Sequence, residues 1–555
     1  MPSTQPFGVS CKGGLNTNLN EFEILSSPGS ATKLRNYEVD PDGGYRRING
    51  YINYGDIRDD TTPVDVEIQG LQVYADGVII TAGNKLYFSF TQLDAQGNEV
   101  AEFVELPHHT EGHTFTGAQY LDPTHAPTHK TNLGYTDQGR ASFTVYDDNV
   151  ENGRVIICDG VNKPLRITIT GYGAFSTRSI TIDEITVDGD IAPAVGTVHQ
   201  GVFVTGGGPD AKNTVYYSSS TDVTSFSTGV EVITDDEVVG IKSFRENIII
   251  FCKNSIFNLS DILATTATAL LPITKNVGCL SAQSIQEIGG DLLFLAPDGI
   301  RTIAGTARIG DVELSSVSRQ IQALISVLAS EIDQYKVSSC VIRNKSQYRL
   351  FYSKDTESTL DSRGIVGTLT PNGFEWSETR GIKAYALTSD FDNTGIEKKY
   401  HGDDAGYIFY HDKGNYFHQL NNDVPPVLTA SNIDAVYETP NFDFGDLGTN
   451  KTLDYVRLSV TPEAKATVSM KVTLNSNDVD TPQPLQYDFP TTSKGGIFGI
   501  GTFGTSLFGQ GETSIMKAFL QGSGYTASFK ILTENQESPY TINGFYINYA
   551  PSTRR

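Results

Sequence analysis

The sequence predicts a mainly β protein, and three features of the 555-residue chain support this prediction. Aromatic residues are frequent, with 27 Tyr and 28 Phe, and together with Val, Ile and Thr they favour half-buried sheet surfaces. Glycine occurs 54 times, which suits a chain with many tight turns. Apolar runs of strand length recur between Gly, Asn and Asp residues. We expect a β-propeller body, an additional C-terminal β-sandwich and few short helices.

Hairpin units recur between residues 66 and 420. Segments such as "GLQVYADGVIITAGNKLYFSF" and "SFRENIIIFCKNSIFNLS" join apolar strands through two-residue turns such as DG, EN or KN. Successive antiparallel units fit a β-propeller, which protects its sheet edges by arranging them radially. We assign residues 51–430 to a propeller with an insertion near 95–140. A stack of sandwiches is the alternative, because it would produce similar signals.

One segment, "SRQIQALISVLASEIDQY", has helical rather than strand periodicity. Serines before the apolar positions are candidate N-caps. We expect a surface helix that packs on a sheet. Its apolar face contains Ile321, Leu324, Ile325, Leu328 and Ile332.

The pattern changes after Pro425-Pro426, which reads as a stiff connector. Segments such as "ATVSMKVTLNS" and "YTINGFYINYAP" alternate apolar and polar residues, which predicts an antiparallel sandwich over residues 431–555. The Gly-rich stretch 495–511 matches the period of no regular element and predicts a long loop. We expect this loop to contact another subunit or a partner through Phe498, Phe503 and Phe508.

The chain is strongly acidic, with 65 Asp and Glu against 41 Lys and Arg and a formal net charge of −24. Such a charge repels phosphate, so a sequence-reading nucleic-acid binder is not expected. A duct through which DNA passes without sticking remains compatible with it. The acidity is also explained by solubility alone.

Cysteine usage and the N-terminus indicate synthesis in a reducing cytosol. The five cysteines are scattered without a CxxC pair, which argues against a disulfide framework and a thiolate zinc site. The first residues lack the charged start and apolar run of a signal peptide. No apolar run is long enough to predict a membrane span.

Known catalytic motifs are missing from the sequence. It contains no G-x-S-x-G elbow, no G-x-x-x-x-G-K-[ST] loop and no H-E-x-x-H motif. One partial Asp-box, "SSTDVTSF", carries Thr224 where that motif has Gly, and a turn explains it equally well. We therefore expect neither an enzyme nor a cofactor.

A candidate metal set occurs in "HHTEGH", because His109, Glu111 and His113 would share one face of a strand. The Gly, Thr, Asp and Pro residues around them indicate an irregular polar insertion instead. We predict no metal site, and metal binding by these three residues is the alternative.

The N-terminal segment "GGLNTNLNEFEILSSPGSATKLRNYEVDPDGGYRRINGY" resembles that of the tail hub or tail nozzle proteins of short-tailed bacteriophages. The similarity continues through "VIICDGVNKPLRI", "KSFRENIIIFCKNSIF" and the terminal "INGFYINYAPSTRR", and so covers most of the chain. Each motif alone is loose, but their order is specific. The N-terminal motif consists of Gly13-Gly14, Pro28-Gly29, Leu34-Arg35-Asn36 and the run from Arg46 to Tyr51.

The resemblance implies a virion structural protein with a β-propeller body and an added sandwich. It implies a homo-oligomeric ring, usually a hexamer, below the portal and tail adaptor, with tail fibre or tip proteins as further partners. Such a ring is a conduit for genome DNA during ejection and helps to close it beforehand. The protein would be made in the bacterial cytoplasm and reside in the virion tail. The family supplies no catalytic residues.

Two sets of charged residues follow as candidates. Arg46 and Arg47, in the segment 1–50, are expected to grip carboxylates of a neighbouring subunit, with bonds inside their own subunit as the alternative. A wall rich in carboxylates would not hold DNA, so we expect acidic turns to face the channel. The candidates are Asp235, Asp236, Glu237, Asp403 and Asp404, and outward-facing turns are the alternative.

A second class of function remains open. The chain could instead be a phage-borne or secreted propeller that binds or cleaves carbohydrate. A glycosidase needs a pair of carboxylates set by geometry, which cannot be selected from 65 acidic residues by sequence.

Overall fold

The computed structural model describes residues 4–20, 22–57, 66–93, 99–106, 114–116, 139–147, 153–171, 175–227, 231–263, 269–304, 316–420, 427–491 and 513–552. Strands dominate these residues, which confirms the predicted fold class. The N-terminal strands join sheets formed by later parts of the chain. They are β1 (Gln5–Ser10), β2 (Lys33–Arg35), β3 (Tyr37–Val39), β4 (Tyr45–Arg47) and β5 (Tyr51–Asp56).

The body begins with three antiparallel sheets of consecutive strands. The first contains β6 (Ile68–Tyr74), β7 (Gly77–Ala82), β8 (Lys85–Leu93) and β9 (Glu99–Glu105). The second contains β10 (Thr114–Thr116), β11 (Ser142–Tyr146), β12 (Arg154–Cys158), β13 (Leu165–Thr170) and β14 (Ser179–Glu184). The third contains β15 (Val195–His199), β16 (Val202–Gly208), β17 (Ala211–Tyr217) and β18 (Glu231–Ile233).

Four more sheets and a helix follow. The fourth contains β19 (Val238–Phe244), β20 (Asn247–Cys252), β21 (Ile256–Ser260) and β22 (Ala269–Thr274). The fifth contains β23 (Gln286–Ile288), β24 (Asp291–Ala296) and β25 (Gly299–Thr302), and precedes helix α1 (Gln322–Ser330). The sixth starts with β26 (Lys336–Ile342), β27 (Gln347–Ser353), β28 (Arg363–Thr370) and β29 (Gly373–Arg380). The seventh contains β30 (Ala386–Phe391), β31 (Glu397–Gly402), β32 (Tyr407–His411), β33 (Phe417–Leu420) and β34 (Leu428–Ser431).

Middle strands of these sheets are buried on both faces, as in a propeller, where each sheet packs between two neighbours. In β7, Ile79 belongs to a core shared with the second sheet, whereas Val78 and Ile80 belong to a core shared with the seventh. In β20, Ile250 and Ile249 divide in the same way between the third and fifth sheets. Because successive side chains of a strand point to opposite faces, each sheet must be covered on both sides. Radially arranged sheets meet this requirement.

The N-terminal part of the chain closes the ring. Strand β5 inserts into the seventh sheet, where it pairs antiparallel with β32 and parallel with β33. The last propeller sheet is therefore completed by a strand that precedes the first one. This pairing joins the two ends of the propeller through backbone hydrogen bonds.

The hairpin turns lie one residue earlier than the sequence suggests. Tyr74 pairs with Gly77, so the turn is Ala75-Asp76 and not the DG pair. Arg245 likewise begins the turn that precedes Asn247. Ala75 and Arg245 both have φ of 55°, although neither is glycine. A first turn residue with positive φ matches the twist of the flanking strands.

The C-terminal strands form two further layers. One sheet contains β36 (Lys451–Pro462), β39 (Ser514–Phe519), β40 (Ser523–Gly524) and β42 (Tyr540–Pro551), together with β1, β3 and β4. The other layer contains β35 (Ile433–Glu438), β37 (Ala466–Leu474), β38 (Tyr487–Thr491) and β41 (Ala527–Asn535). Strand β2 connects this second layer to β29, which makes one nine-stranded sheet with the sixth propeller sheet.

A separate C-terminal sandwich over residues 431–555 is not confirmed. Its first layer is completed by three N-terminal strands, and its second is continuous with the propeller. Trp376 of the sixth sheet lies in the same hydrophobic core as Val468, Phe529 and Ile547 of the C-terminal layers. The propeller, the N-terminal segment and the C-terminal layers therefore share one core.

The predicted helix is present and packs as expected. Ile321, Ile325 and Leu328 are buried in the core that includes β25. The candidate N-cap at Ser318 has another role, because its hydroxyl accepts a hydrogen bond from the backbone N–H of Ile300 over 2.9 Å. The serine thus joins the start of the helix to β25 rather than capping it.

Candidate functional site

Arg46 lies on β4 and is paired entirely within its own chain. It stands opposite Glu38 of β3, and its Nη1 donates to Glu38 Oε1 over 2.7 Å. Its Nε donates to Glu463 Oε1 over 2.6 Å, and its Nη2 donates to Asn49 Oδ1 over 2.8 Å. Arg46 therefore links the N-terminal hairpin to the connection between β36 and β37.

Arg47 is fully buried. Its two terminal nitrogens donate to the backbone carbonyl oxygens of Asn535 and Glu537, next to the end of β41. The prediction that Arg46 and Arg47 grip a neighbouring subunit is therefore corrected. Both guanidinium groups point into the molecule. There they bond to carboxylate and backbone carbonyl oxygens of the layers that the short N-terminal strands join.

Glu38 and Asp412 are the acidic centre of a buried group that we term the N-terminal charge cluster. Lys345 and Arg349 each contact both carboxylates, with nitrogen–oxygen distances of 2.8 to 3.1 Å. Lys399 of β31 approaches Asp412 to 3.1 Å. The cluster connects β3 and β4 to the sixth and seventh sheets. Its members are Glu38, Arg46, Lys345, Arg349, Lys399 and Asp412.

The cluster fixes the charge of its members at neutral pH. Burial alone would raise the pKa of Glu38, but the surrounding cations outweigh it and lower this pKa to about 2. The same balance holds the pKa of Asp412 well below its ordinary value. Burial and the neighbouring charge of Arg349 lower the pKa of His411, whose Nε2 lies 3.1 Å from Arg349 Nη1. The histidine is therefore neutral beside charged partners.

A central cavity of about 190 Å³ is lined by one edge strand, or residues next to it, from each of the seven described propeller sheets. Those strands are β6, β11, β15, β19, β23, β26 and β30. Unlike the apolar cores between the sheets, the cavity is lined by polar and charged groups. They include Gln72, Arg140, Ser142, Lys242, Gln286 and Asp390.

Two side chains cross the axis of the central cavity. Arg140, just before β11, donates through Nη2 to the carbonyl oxygen of Val337 on β26. Gln283, just before β23, donates through Nε2 to the carbonyl oxygen of Ala141 over 3.1 Å. These bonds connect the second sheet to the sixth and fifth, which are not its neighbours in the ring. The propeller axis is therefore closed by side chains and cannot admit a nucleic-acid duplex.

The first acidic turn, residues 235–237, lies at the surface between β18 and β19. The Asp235 side chain is 80% exposed and lies 3.2 Å from Lys275. Asp236 accepts from the backbone N–H of Asn254, whereas Glu237 lies 3.7 Å from Lys212. Whether this turn faces a channel stays a prediction.

The second acidic turn differs from the prediction. Asp403 is buried, and its Oδ1 accepts hydrogen bonds from the backbone N–H groups of Ala405 and Tyr407 over 3.0 and 2.9 Å. Asp404 lies 2.6 Å from the ammonium of Lys383. Asp403 is therefore corrected from a channel-facing carboxylate to a residue that shapes its own turn.

Other sequence-based candidates lie outside the described residues. These are Phe498, Phe503 and Phe508 of the Gly-rich loop, His109, Glu111 and His113, and most of the insertion near 95–140. In the described ranges, no group of three or more His, Cys, Asp or Glu side chains is arranged to hold a metal ion. No helix of the same ranges is long and apolar enough to cross a membrane.

The sequence reading missed Arg140 and Lys242. Lys242 interrupts the strand "VVGIKSF", and Arg140 directly precedes the strand "SFTVY". Both strands are edge strands of their sheets, at the edge that lines the central cavity. The available signal was a lysine within the largely apolar strand β19. It indicates a polar cavity only once the strand order shows that β19 lies at the axis.

The arrangement of sheets defines the class of protein as a β-propeller. No family model and no curated protein matches this chain. Among solved structures, it is similar to the WD40 β-propeller domain of Doa1, at 10% identity over 66% of this chain and 98% of that chain, with a TM-score of 0.35.

Two carbohydrate-active enzymes are also similar to the chain. An exo-β-1,3-galactanase from Phanerochaete chrysosporium has 8% identity over 90% of this chain and 100% of its own, with a TM-score of 0.26. A glycoside hydrolase family 43 arabinoxylan arabinofuranohydrolase from Bacillus subtilis has 9% identity over 89% and 98%, with a TM-score of 0.22.

These similarities correct the prediction that the chain is not an enzyme, because glycoside hydrolases are among the solved structures that resemble it. The absence of known catalytic motifs was an insufficient reason for that prediction, since a glycosidase is defined by carboxylate geometry rather than by a sequence motif. At these identities the similarity assigns no activity to this chain.

Proposed function

We propose that this chain is a virion structural protein of a short-tailed bacteriophage, a tail hub or nozzle that assembles as a ring around the path of the genome. One observation carries the proposal. The N-terminal residues that resemble this family lie where the propeller meets the C-terminal layers, and their chemistry suits that position. The resemblance therefore rests on residues that this architecture requires.

Two glycines of the motif lie where backbone segments touch. Gly14 has φ of 65°, and a Cβ atom there would lie 2.8 Å from the backbone N and O of Trp376 on β29. A Cβ atom on Gly29 would lie 1.8 Å from the carbonyl oxygen of Ser10 on β1. Other residues would displace the backbone at both positions, so packing selects glycine.

Asn36 joins the two parts of the molecule between β2 and β3. Its φ is 55°, a left-handed conformation that asparagine tolerates better than most residues. Its Nδ2 donates to the carbonyl oxygen of Asp434 over 2.8 Å, and its Oδ1 accepts from the backbone N–H of Arg380 over 2.9 Å. One side chain thus connects the sixth propeller sheet to the C-terminal layers.

The closed axis supports a conduit between subunits rather than through one subunit. Arg140 and Gln283 cross the central cavity, so DNA could pass only through a lumen enclosed by several copies. An acidic lumen would release DNA readily, because it offers no cations to replace the counterions of the duplex. Asp235 is the most exposed of the five acidic candidates and could contribute to such a wall.

The outer surface of the β39 sheet is suited to contact a second copy of the chain. We term it the β39 face. Ile515 and Phe519 are 70% and 67% exposed on β39, and Tyr546 is 62% exposed on β42. Lys517 and Arg457 lie in one row with Tyr546 across three strands. These two cations could pair with carboxylates of another copy, because the chain carries 65 Asp and Glu residues.

The Gly-rich loop directly precedes β39 in the sequence. Contact of Phe498, Phe503 and Phe508 with another subunit or the adaptor is part of the same proposal. Apolar side chains that cluster at a surface commonly mark an interaction site.

Native mass spectrometry of the purified full chain tests the proposal. We expect a closed oligomer with a discrete number of copies at micromolar concentration. A parallel assay should measure binding and hydrolysis of a panel of β-linked and α-linked polysaccharides. A monomer at every concentration, together with polysaccharide binding or cleavage, would favour the carbohydrate-active alternative and contradict the tail role.

A further inference from the structure

The central cavity carries an excess of positive charge. Its charged lining groups are Arg140, Lys242, Arg343 and Asp390. Asp390 is engaged by Arg343 at 3.8 Å and by Gln72 Nε2 at 3.2 Å. Two cations therefore face the cavity in addition to this balanced pair.

Arg140 uses only part of its hydrogen-bonding capacity. Its Nη2 donates to Val337, whereas its Nη1 is buried and has no hydrogen-bond partner in the part of the chain that the structure describes. Glu67, whose charge also acts on Arg140, is paired with Lys336 at 3.2 Å. The guanidinium thus holds a fixed position across the axis and has an unused donor.

Lys242 projects from β19 into the same cavity. In the described ranges its ammonium has neither a carboxylate within 4.0 Å nor a hydrogen-bond acceptor. Burial lowers its pKa, and no acidic neighbour counteracts this effect. Lys242 is half-buried, and its ammonium reaches the cavity as a cation without a partner in the described ranges, whereas proteins normally pair such a charge.

We propose that the central cavity binds a small tetrahedral oxyanion such as phosphate, held by the ammonium of Lys242 and the free guanidinium donor of Arg140. Arginine presents planar donors that match phosphate oxygens, and lysine adds a mobile point charge. The hydroxyl of Ser142, which also lines the cavity, adds a neutral donor. This site is independent of the proposed tail function.

The geometry favours a free anion over a nucleic-acid backbone. The bonds from Arg140 to Val337 and from Gln283 to Ala141 cross the axis and leave a cavity of about 190 Å³. A compact tetrahedral ion fits that space, whereas a polymer would need an open path through both ends. We therefore expect each cavity to bind one free phosphate ion.

Calorimetric titration of the full chain with inorganic phosphate tests the proposal, with sodium chloride at matched ionic strength as the blank. We expect saturable binding of one phosphate per chain. Lys242→Met should weaken the affinity by about tenfold to hundredfold, the loss expected for one charged hydrogen bond. Lys242→Arg should restore most of it. Lys212→Met, whose side chain is 60% exposed on β17, is the matched control and should bind like the wild type.

Thermal unfolding supplies an independent readout. Without phosphate, Lys242→Met should unfold at the same or a higher temperature than the wild type, because it removes a half-buried charge that has no partner in the described ranges. Phosphate should raise the wild-type midpoint with the logarithm of its concentration above the dissociation constant. The general stabilisation by kosmotropic anions would instead be equal in all variants. Lys242→Gln replaces the Met variant if that variant does not fold.

Three results would overturn the proposal. They are the absence of saturable phosphate binding to the wild type, an unchanged affinity in Lys242→Met, and phosphate stabilisation that is identical in all variants. A short oligothymidylate distinguishes the source of the phosphate group. Lys242-dependent binding of the oligonucleotide without binding of free phosphate would also overturn it.

Discussion

Neutralising Glu38 should destabilise the whole fold, because this residue balances three cations inside the N-terminal charge cluster. Glu38→Gln keeps the shape of the side chain but leaves Lys345 and Arg349 with Asp412, and Arg46 with Glu463, as their remaining carboxylate partners. A pKa lowered from 4.5 to about 2 corresponds to about 3 kcal/mol, at about 1.4 kcal/mol per pKa unit. Breaking a buried ion pair from one side costs about 3–5 kcal/mol. We expect the free energy of unfolding to fall by about 3 kcal/mol.

The effect should also depend on pH. Because folding lowers the pKa of Glu38, its contribution is complete above pH 4.5 and is lost as the pH falls toward 2. The wild type should therefore lose stability steeply below pH 4.5, and Glu38→Gln should show a shallower slope in that range. Below pH 2 the two proteins should approach the same stability.

Urea unfolding followed by tryptophan fluorescence measures both effects. Trp376 is the one tryptophan of the sequence, and it is fully buried in the sixth sheet beside the cluster-bearing strands. Glu105→Gln is the matched control, since Glu105 pairs with Lys85 at 3.0 Å with a 35% exposed side chain. The control should change the unfolding free energy by less than about 1 kcal/mol. A Glu38→Gln protein as stable as this control, with unchanged pH dependence, would refute the role assigned to the cluster.

Three further changes test other parts of the structure. Gly14→Ala should lower the unfolding free energy by about 1–3 kcal/mol more than Gly290→Ala. Both glycines have φ between 65° and 75°, but only at Gly14 would the added Cβ atom lie within 4 Å of other backbone atoms. Thermal unfolding measures the difference. Burial raises the pKa of the Asp403 carboxyl from 3.8 to about 7, so the wild type should lose stability as the pH rises through this range. Asp403→Asn should abolish this loss. Equal pH dependence of the two proteins in denaturation experiments would contradict the prediction. Phe519→Ser should reduce the oligomer fraction in native mass spectrometry, whereas the control Val479→Ser, at a 96% exposed site, should not. Equal oligomer fractions in the two variants would exclude the β39 face as a subunit contact.

Local patterns in the sequence were sufficient for the strands, the hairpins and the helix. Ile321, Ile325 and Leu328 form the buried helix face because their spacing alone determines which side is apolar. The hairpin turns were found within one residue, since glycine and asparagine mark them. The choice of Ala75 as the first turn residue was not visible, because positive φ at alanine is imposed by the register of the strands.

The charged sites could not be predicted because their partners are distant in the sequence. Arg46 pairs with Glu463 and Glu38 with Arg349, which are separated by 417 and 311 residues. No local pattern indicates such pairs, and the sequence alone left the inward and outward orientations of Arg46 open. Asp403 illustrates the same limit, because "HGDDAG" predicts a turn but not the direction of its carboxylate.

The sharing of strands between the two halves was equally inaccessible. Strand β2 has only three residues, Lys33–Arg35, and its pairing with β29 and β35 merges two sheets. A segment so short carries no periodicity that could identify its neighbours. The boundary at Pro425-Pro426 therefore suggested a separate domain, although strands on both sides of it share one hydrophobic core.

Cryo-electron microscopy of the purified, assembled protein tests whether the chain forms a conduit for DNA. We expect a closed ring whose axial lumen lies between subunits, with more Asp and Glu than Lys and Arg on its wall. Each propeller axis in the map should remain crossed by the side chains of Arg140 and Gln283. Isolated monomers, or a ring whose lumen is dominated by Lys and Arg, would contradict the proposed tail role.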